Sequence, residues 1–161
     1  MKKALLALLV LCTVCSCNKD SAEPATPESP DYLVFGQFAG GMSAEASQLF
    51  RVDLSTFEQD IVTDFFPRLD YEFEAEITMS QADWSNARQL IDLLPQSLIE
   101  TEFHMYGCPD CADQGGYFLE FGNNGQSKKI LLDIDDTPDQ TQDIVAFKNA
   151  MATLLLLWKD W

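Results

Sequence analysis

The sequence predicts an α+β domain in which a mainly antiparallel sheet carries two helices on one face. Apolar and polar residues alternate in several short stretches, which is the period of a half-buried strand. Two longer stretches repeat their apolar residues at helical spacing. The predicted order is strands, helix, hairpin and helix, and it lacks the regular strand–helix alternation that a parallel sheet requires.

Three strand-like stretches open the domain. Residues 32–35 form a short apolar run, and Gly36 behind it is assigned to a turn. Residues 49–54 place every second side chain, ending with Leu54, on one predicted buried face. Residues 71–79 alternate strictly, so one face is predicted to join the core and the other to be an exposed acidic row. The residues of that row are Glu72, Glu74 and Glu76.

A first helix is predicted to begin at Ser80. Ser80 with Asp83 three positions later resembles a capping box, in which each side chain bonds the other's backbone N–H. Pro95 is expected to end or kink this helix, because proline cannot continue the hydrogen-bond ladder. The predicted buried stripe consists of Trp84, Ala87, Ile91 and Leu94.

A hairpin and a second helix follow. Residues 117–121 are apolar and aromatic, residues 122–125 read Gly-Asn-Asn-Gly, and apolar residues alternate again up to Ile134. Thr137 is predicted to cap the next helix, with Pro138 in its first turn. The buried stripe of this helix is predicted to be Ile144, Phe147, Met151, Leu154 and Trp158.

The N-terminus has the features of a bacterial export signal. Two lysines precede an apolar run, 4–14, that is too short to cross a bilayer. Val14-Cys15-Ser16-Cys17 resembles the lipobox, the motif that directs diacylglyceryl transfer to its cysteine. We therefore expect a signal peptide at 1–16, a lipidated Cys17 with an extended tether at 17–30, and one domain at 31–161. Ordinary cleavage that leaves Cys17 as a free thiol is the alternative.

Charge and tether indicate the location and the partners. Removal of residues 1–16 leaves 8 basic against 26 acidic residues, a net charge of −18. Such a chain is repelled by phosphates, so nucleic acid is not expected as a partner, and acyl chains must supply the membrane affinity. Cys17-Asn18-Lys19-Asp20 resembles the surface-export tag of Bacteroidota lipoproteins. The expected location is the outer membrane, on its periplasmic or outer side.

The domain itself also resembles a known group of sequences. Residues 32–36 (Tyr-Leu-Val-Phe-Gly) and 109–116 (Pro-Asp-Cys-Ala-Asp-Gln-Gly-Gly) are similar to small, uncharacterised lipoproteins of Bacteroidota. The hairpin with its proline-led helix is also similar to a second lipoprotein domain family of unknown function. Both resemblances imply export and an α+β fold, and neither implies an activity.

The cysteine loop, residues 107–116, carries the most specific local motif. Cys108-Pro109-Asp110-Cys111 holds the only two cysteines of the expected mature chain besides Cys17. A disulfide, or two exposed thiols, is the plain interpretation in an oxidising compartment. A redox pair would need a helix at the first cysteine, but glycines follow here. Zinc is the third interpretation, because His104, Cys108 and Cys111 could be completed by Asp110 or Asp113. The alternative is that His104 is a solvated histidine on a strand at 101–106.

The densest acidic cluster is a candidate calcium site. Oxygen ligands at this density could hold Ca²⁺, although the glycine and glutamate positions of an EF-hand are missing. The alternative is that Asp139 favours a helix start and the other carboxylates are solvated. The cluster consists of Asp133, Asp135, Asp136, Asp139 and Asp143.

The leading functional hypothesis is a non-enzymatic, protein-binding accessory module of the cell envelope. Its expected contact surfaces are the acidic row (Glu72, Glu74, Glu76) and the cysteine loop with Asp110 and Asp113. The sequence contains one histidine, no Gly-x-Ser-x-Gly elbow and no glycine-rich phosphate loop. The alternative is a metal- or thiol-dependent enzyme centred on His104, Cys108 and Cys111. Oligomerisation through the apolar turn at 154–157 is a third hypothesis.

Overall fold

The computed structural model describes residues 29–38, 47–60, 69–123 and 125–158 of the chain. They form an α+β domain with a seven-stranded sheet, which confirms the predicted class. The predicted signal peptide, Cys17 and most of the predicted tether lie outside these residues. The strands are β1 Tyr32–Phe38, β2 Gln48–Asp53, β3 Phe57–Asp60, β4 Ile77–Thr78, β5 Met105–Tyr106, β6 Gly116–Asn123 and β7 Gln126–Asp133; the helices are α1 Gln81–Leu93, α2 Gln96–Glu100 and α3 Gln142–Leu155.

The sheet has the strand order β4-β3-β2-β1-β6-β7-β5. All neighbouring strands are antiparallel except β5, which pairs with β7 in parallel. The predicted hairpin is present as β6 and β7, and β1 lies in the centre between β2 and β6. The short strand β3 and the short helix α2 were not predicted as separate elements.

The inner face of the sheet carries the main core. Alternate residues of β1, β2, β6 and β7 pack there with apolar residues of all three helices. Trp158, which follows α3, lies 4.8–6.2 Å from three phenylalanine rings and is 1% exposed. Its indole N–H donates to Asp83 near the start of α1, 2.9 Å away. These contacts tie the end of the described chain to α1 and to the sheet.

The outer face has a smaller apolar cluster, and the predicted strand 71–79 lies partly over it. The prediction of a nine-residue strand was wrong: only Ile77–Thr78 pair with β3, and residues 71–76 have no regular secondary structure. We call residues 71–76 the strap. Tyr71 and Phe73 pack on the outer cluster, whereas Met79 packs on the inner core. The segment therefore passes from one side of the sheet to the other, which alternation alone does not reveal.

Buried or charged groups hold the strap to the sheet. Asp60 of β3 is 6% exposed and accepts hydrogen bonds from the Tyr71 hydroxyl and from the Glu74 N–H, the latter at 2.8 Å. Lys129 of β7 donates to the Tyr71 carbonyl oxygen. Burial, followed by the bond to Asp60, raises the pKa of Tyr71 above its ordinary value. The strap is thus anchored to strands on both sides of β1.

Helix starts were predicted with mixed success. Ser80 caps α1 as predicted, and its hydroxyl accepts from the Asp83 N–H at 3.2 Å. The second start was wrong, because Thr141 caps α3 and residues 137–140 form a turn instead. Thr137 donates to Asp139, whose carboxylate also accepts a bond from the cysteine loop. The residues that resembled a cap are used for that tertiary contact.

Two smaller expectations about the strands were also wrong. Leu54 is 64% exposed, because β2 ends at Asp53 and a turn follows. The Asp53 carboxylate accepts from the N–H groups of Ser55 and Thr56, both at 2.8 Å, and fixes that turn. Gly36 lies within β1 rather than in a turn. A Cβ atom there would be 1.9 Å from the Gln48 carbonyl oxygen, so glycine permits the close approach of β2.

Candidate functional site: the cysteine loop

The cysteine loop (107–116) connects β5 to β6. Cys108 and Cys111 form a disulfide with their Cα atoms 5.4 Å apart, and both residues are exposed. Asp110 and Asp113 have φ values of 69° and 54°, in the left-handed region that aspartate tolerates better than most residues. A bond of 3.1 Å from the Cys111 N–H to the Cys108 carbonyl oxygen closes the turn.

Asp133, the last residue of β7, is the main anchor of this loop. Its side chain is 3% exposed. One oxygen accepts from the Cys108 N–H at 2.8 Å, and the other accepts from Gln114 Nε2 at 2.9 Å and the Asp135 N–H at 3.0 Å. Three uncharged N–H donors therefore stabilise a buried carboxylate, an arrangement that orders both the loop and the following turn.

Asp139 supplies a second anchor at the beginning of the loop. Its carboxylate accepts from the Gly107 N–H at 2.8 Å and from the Thr137 hydroxyl. These bonds, with that from Thr137 the larger, lower the pKa of Asp139. Gly107 has φ 72°, and a Cβ atom there would be 2.5 Å from the Asp133 Cβ. The loop therefore fits closely against the two aspartates.

Lys148 of α3 supports the same region from within the domain. It is 2% exposed. Its ammonium donates to the carbonyl oxygens of Asp133 and Asp135 at 3.2 and 2.8 Å, and to Gln140 Oε1 at 2.7 Å. It also forms an ion pair with Asp136 at 2.9 Å. The buried charge is satisfied by four oxygens, so Lys148 fixes the 133–140 turn on which the cysteine loop rests.

The residues of the zinc hypothesis attach to different points of β7. His104 Nδ1 donates to the Lys129 carbonyl oxygen at 2.9 Å, whereas Cys108 is bonded to Asp133. Four residues of strand separate these points, about 13 Å at the usual rise. Within the described ranges, no group of three or more His, Cys, Asp or Glu side chains is placed to hold a metal ion.

The members of the acidic cluster have separate structural contacts. Asp133 and Asp139 hold the cysteine loop, Asp136 pairs with Lys148, and Asp143 accepts from Ser97 of α2 at 2.7 Å. Hydrogen bonds from Thr141, and secondarily from Ser97, lower the pKa of Asp143. Asp135 bonds through its backbone, with its N–H donating to Asp133.

The predicted acidic row is exposed but does not lie on a strand. Glu72, Glu74 and Glu76 belong to the strap, and all three are solvent-exposed. The backbone N–H of Glu76 donates to the Gln59 carbonyl oxygen at 3.0 Å, and that of Glu74 to Asp60. The three carboxylates are thus carried by a segment that its backbone holds against the sheet.

The loop and the chain entry are at opposite ends of the sheet. The Asp31 N–H donates to the Gly122 carbonyl oxygen at 2.9 Å, so the chain enters beside the β6–β7 turn. The cysteine loop precedes Gly116 at the other end of β6. Six residues of strand separate Gly116 from Gly122, about 20 Å.

Sequence reasoning did not single out the buried polar residues that hold the loop. The sequence pattern indicates Asp133 only as a calcium ligand or a solvated carboxylate, and it gives no role to Lys148. One signal was present for Lys148, since it lies four residues after Ile144 and three before Met151, on the buried stripe of α3. A lysine on such a stripe indicates a buried, paired charge.

Comparisons with known proteins do not add an identification. No family model matches the chain, and neither the search of curated proteins nor the search of solved structures found a match. None of the helices in the described ranges is long and apolar enough to cross a membrane.

Proposed function

We propose that this chain is a lipid-anchored cell-envelope protein of the outer membrane that acts without catalysis, by binding another protein. The support for anchoring is the lipobox-like sequence ending at Cys17, followed by a polar, proline-containing tether. At about 3.1 Å per residue, an extended tether from 18 to 30 would reach roughly 40 Å. The resemblance to small Bacteroidota lipoproteins agrees with this proposal.

The observation that carries the binding proposal is the exposed cysteine loop, fixed by a disulfide and by two aspartates. A surface that is already ordered loses little conformational entropy on binding. The loop also lies at the end of the sheet opposite the chain entry, so a tethered domain would present it away from the bilayer.

Charge indicates the kind of partner. The expected mature chain has a net charge of −18, and the strap adds three exposed carboxylates to those of the loop. A partner with a basic surface would associate quickly and in a salt-dependent manner. We therefore expect the strap carboxylates to affect the association rate, and the rigid loop to affect residence time.

The binding proposal can be tested by crosslinking and recovery from envelope membranes. The test variant carries Glu72→Lys, Glu74→Lys and Glu76→Lys. The matched control reverses three exposed carboxylates elsewhere, Asp92, Glu100 and Glu102. Selective loss of a recovered partner in the test variant supports the proposal, whereas equal recovery from both variants refutes a role for the strap.

The anchoring proposal has its own test. Wild-type chain should incorporate radiolabelled palmitate and sediment with the outer membrane, whereas Cys17→Ser should do neither. Failure of the wild type to incorporate label, with a soluble mature protein, would refute the anchor. That result would leave the binding proposal for the domain unaffected, because the two proposals depend on different residues.

A second candidate is thiol–disulfide exchange, and the exposure of both Cys108 and Cys111 favours it. Exposed disulfides are accessible to attacking thiolates, which is the first requirement for exchange. Native and denaturing mass spectrometry distinguishes the hypotheses: a mass two hydrogens lower without metal indicates the disulfide, and a stoichiometric metal indicates the zinc enzyme. Catalysed reduction of a protein disulfide that Cys111→Ser abolishes would favour exchange.

A further inference from the structure

The outer face of the sheet holds a polar cavity beneath the strap. Its volume is about 260 Å³, slightly below the usual range of about 300–1000 Å³ for small-molecule sites. It is therefore of a size for a molecule of few atoms. The side chains that define it are Tyr32, Val34, Arg51, Glu72, Glu120 and Lys129.

The strand register explains how this cavity forms. Val34 of β1 pairs with Arg51 on one side and with Glu120 on the other, and Glu120 pairs with Lys129. The four residues form one row across four strands and point to the same face. Two strand spacings of about 4.8 Å separate the backbones of Arg51 and Glu120 by roughly 10 Å. The short apolar side chain of Val34 thus lies between the longer charged side chains of Arg51 and Glu120.

Arg51 is the least satisfied charge in this row. Its guanidinium lies 4.7 Å from the centre of the Tyr32 ring, while its Nε is buried and has no hydrogen-bond partner among the described residues. Lys129, by contrast, donates to the Tyr71 carbonyl oxygen and lies 3.7 Å from Glu120. An unpaired buried donor on a charged group is costly, and the guanidinium fork fits a carboxylate well.

The carboxylates of the cavity select against a simple anion. Glu120 accepts from the Tyr32 hydroxyl at 2.9 Å and faces the cavity from the side opposite Arg51. Glu72 of the strap lines the cavity as well, and Glu58 neighbours Arg51 in the register. An anion near Arg51 is therefore surrounded by negative charge, which an ammonium group on the same molecule would offset.

We propose that this cavity binds a small zwitterion, a free α-amino acid, with its carboxylate on Arg51 and its ammonium toward Glu120 and Glu72. Tyr32 and Phe73 provide aromatic surface for the rest of the molecule. The site is distinct from the cysteine loop, and the proposal does not depend on the lipid anchor.

The test follows the Arg51 Nε–H signal by NMR in the soluble chain from residue 18 onward, with L-alanine, acetate, ethylammonium chloride and glucose as probes. We expect saturable shifts with L-alanine at a dissociation constant on the order of 1 mM. Acetate and ethylammonium should each bind at least about tenfold more weakly than alanine, because acetate lacks the ammonium group and ethylammonium lacks the carboxylate, and the charge-assisted contacts of the missing group are lost. Absence of a saturable alanine shift, equal binding of acetate, or saturable binding of glucose instead would overturn the proposal.

Variants separate the two ends of the site. Arg51→Lys lacks the Nε–H signal, so its titration follows the backbone amide of Val34, the strand partner of Arg51. Arg51→Lys should weaken alanine binding about ten- to hundredfold, whereas Arg88→Lys, in an exposed ion pair on α1, should leave it unchanged. Glu120→Gln should weaken alanine and strengthen acetate, since it removes one negative wall. An equal effect of Glu120→Gln on both probes would contradict the assigned orientation. Circular dichroism confirms that each variant is folded before titration.

Discussion

The buried carboxylate of Asp133 should be among the most important polar groups for stability. Asp133→Ala removes three hydrogen bonds to a charged acceptor and leaves the N–H groups of Cys108 and Asp135 without it. Bonds to charged groups contribute about 1.5–3 kcal/mol each, but Cys108 is exposed and can bond water instead. We therefore expect a loss of about 3–5 kcal/mol in the free energy of unfolding.

Asn at this position should recover only part of that loss. Asp133→Asn keeps the shape but turns one acceptor oxygen into a donor, which then faces at least one N–H group. The expected cost is about 1–3 kcal/mol. Urea unfolding followed by circular dichroism measures the stability of both variants. The control is Asp92→Ala, which removes an exposed ion pair and should stay within about 0.5 kcal/mol of the wild-type stability. A loss below about 1 kcal/mol for Asp133→Ala would show that the loop is not anchored there.

The remaining predictions concern strand pairing, pH and the aromatic core. Gly36→Ala should lower the free energy of unfolding by about 1–3 kcal/mol, because the added Cβ forces β1 and β2 apart. Urea unfolding measures this loss, and a variant as stable as the wild type would contradict the close approach of the two strands. The pKa of Asp139 is lowered in the folded protein. The contribution of Asp139 to stability is therefore complete above the ordinary pKa of 3.8 and is lost as the pH falls through the folded pKa. The Gly107 amide should accordingly become less protected from hydrogen exchange below that range, and Asp139→Asn should abolish the pH dependence. Trp158→Phe should lower the free energy of unfolding by about 1.5–3 kcal/mol. It should also raise the pKa of Asp83, because hydrogen bonds with Ser80 and, secondarily, with Trp158 lower that pKa in the wild type. NMR titration of Asp83 measures this change.

Local rules predicted those parts of the fold that depend on neighbouring residues. The cap at Ser80 and the β6–β7 hairpin were predicted correctly because a few adjacent side chains determine them. The strand β3 was missed because Phe57 begins four residues that otherwise carry polar side chains. The prediction of a cap at Thr137 was wrong because Thr137 bonds to Asp139, and Asp139 in turn accepts from Gly107. Gly107 lies 32 residues away, so no local pattern reveals this contact. The strap was misassigned because its alternation also suits a segment that crosses the sheet.

The candidate sites depend even more on long-range register. The cysteine loop was identified from its motif, but its anchor Asp133 is 25 residues from Cys108. The row from Arg51 to Lys129 combines four strands, and no local pattern brings these residues together. Sequence reasoning can therefore propose which residue types are unusual, whereas the pairing of strands determines which of them meet.

The relative strength of the two restraints on the cysteine loop bears on its function. A disulfide that closes four residues restricts the unfolded chain little and contributes about 2 kcal/mol by the chain-entropy relation. The bonds to Asp133 should contribute more, about 3–5 kcal/mol, and they do not involve the sulfur atoms. Reduction should therefore leave the loop docked, with Asp133 bonds and loop amide protection intact. A loop whose shape survives reduction suits a fixed binding surface, whereas a redox enzyme would gain little from ordering its cysteines through a carboxylate that bonds the Cys108 backbone and neither sulfur atom. Loss of Cys108 amide protection on reduction would reverse that preference.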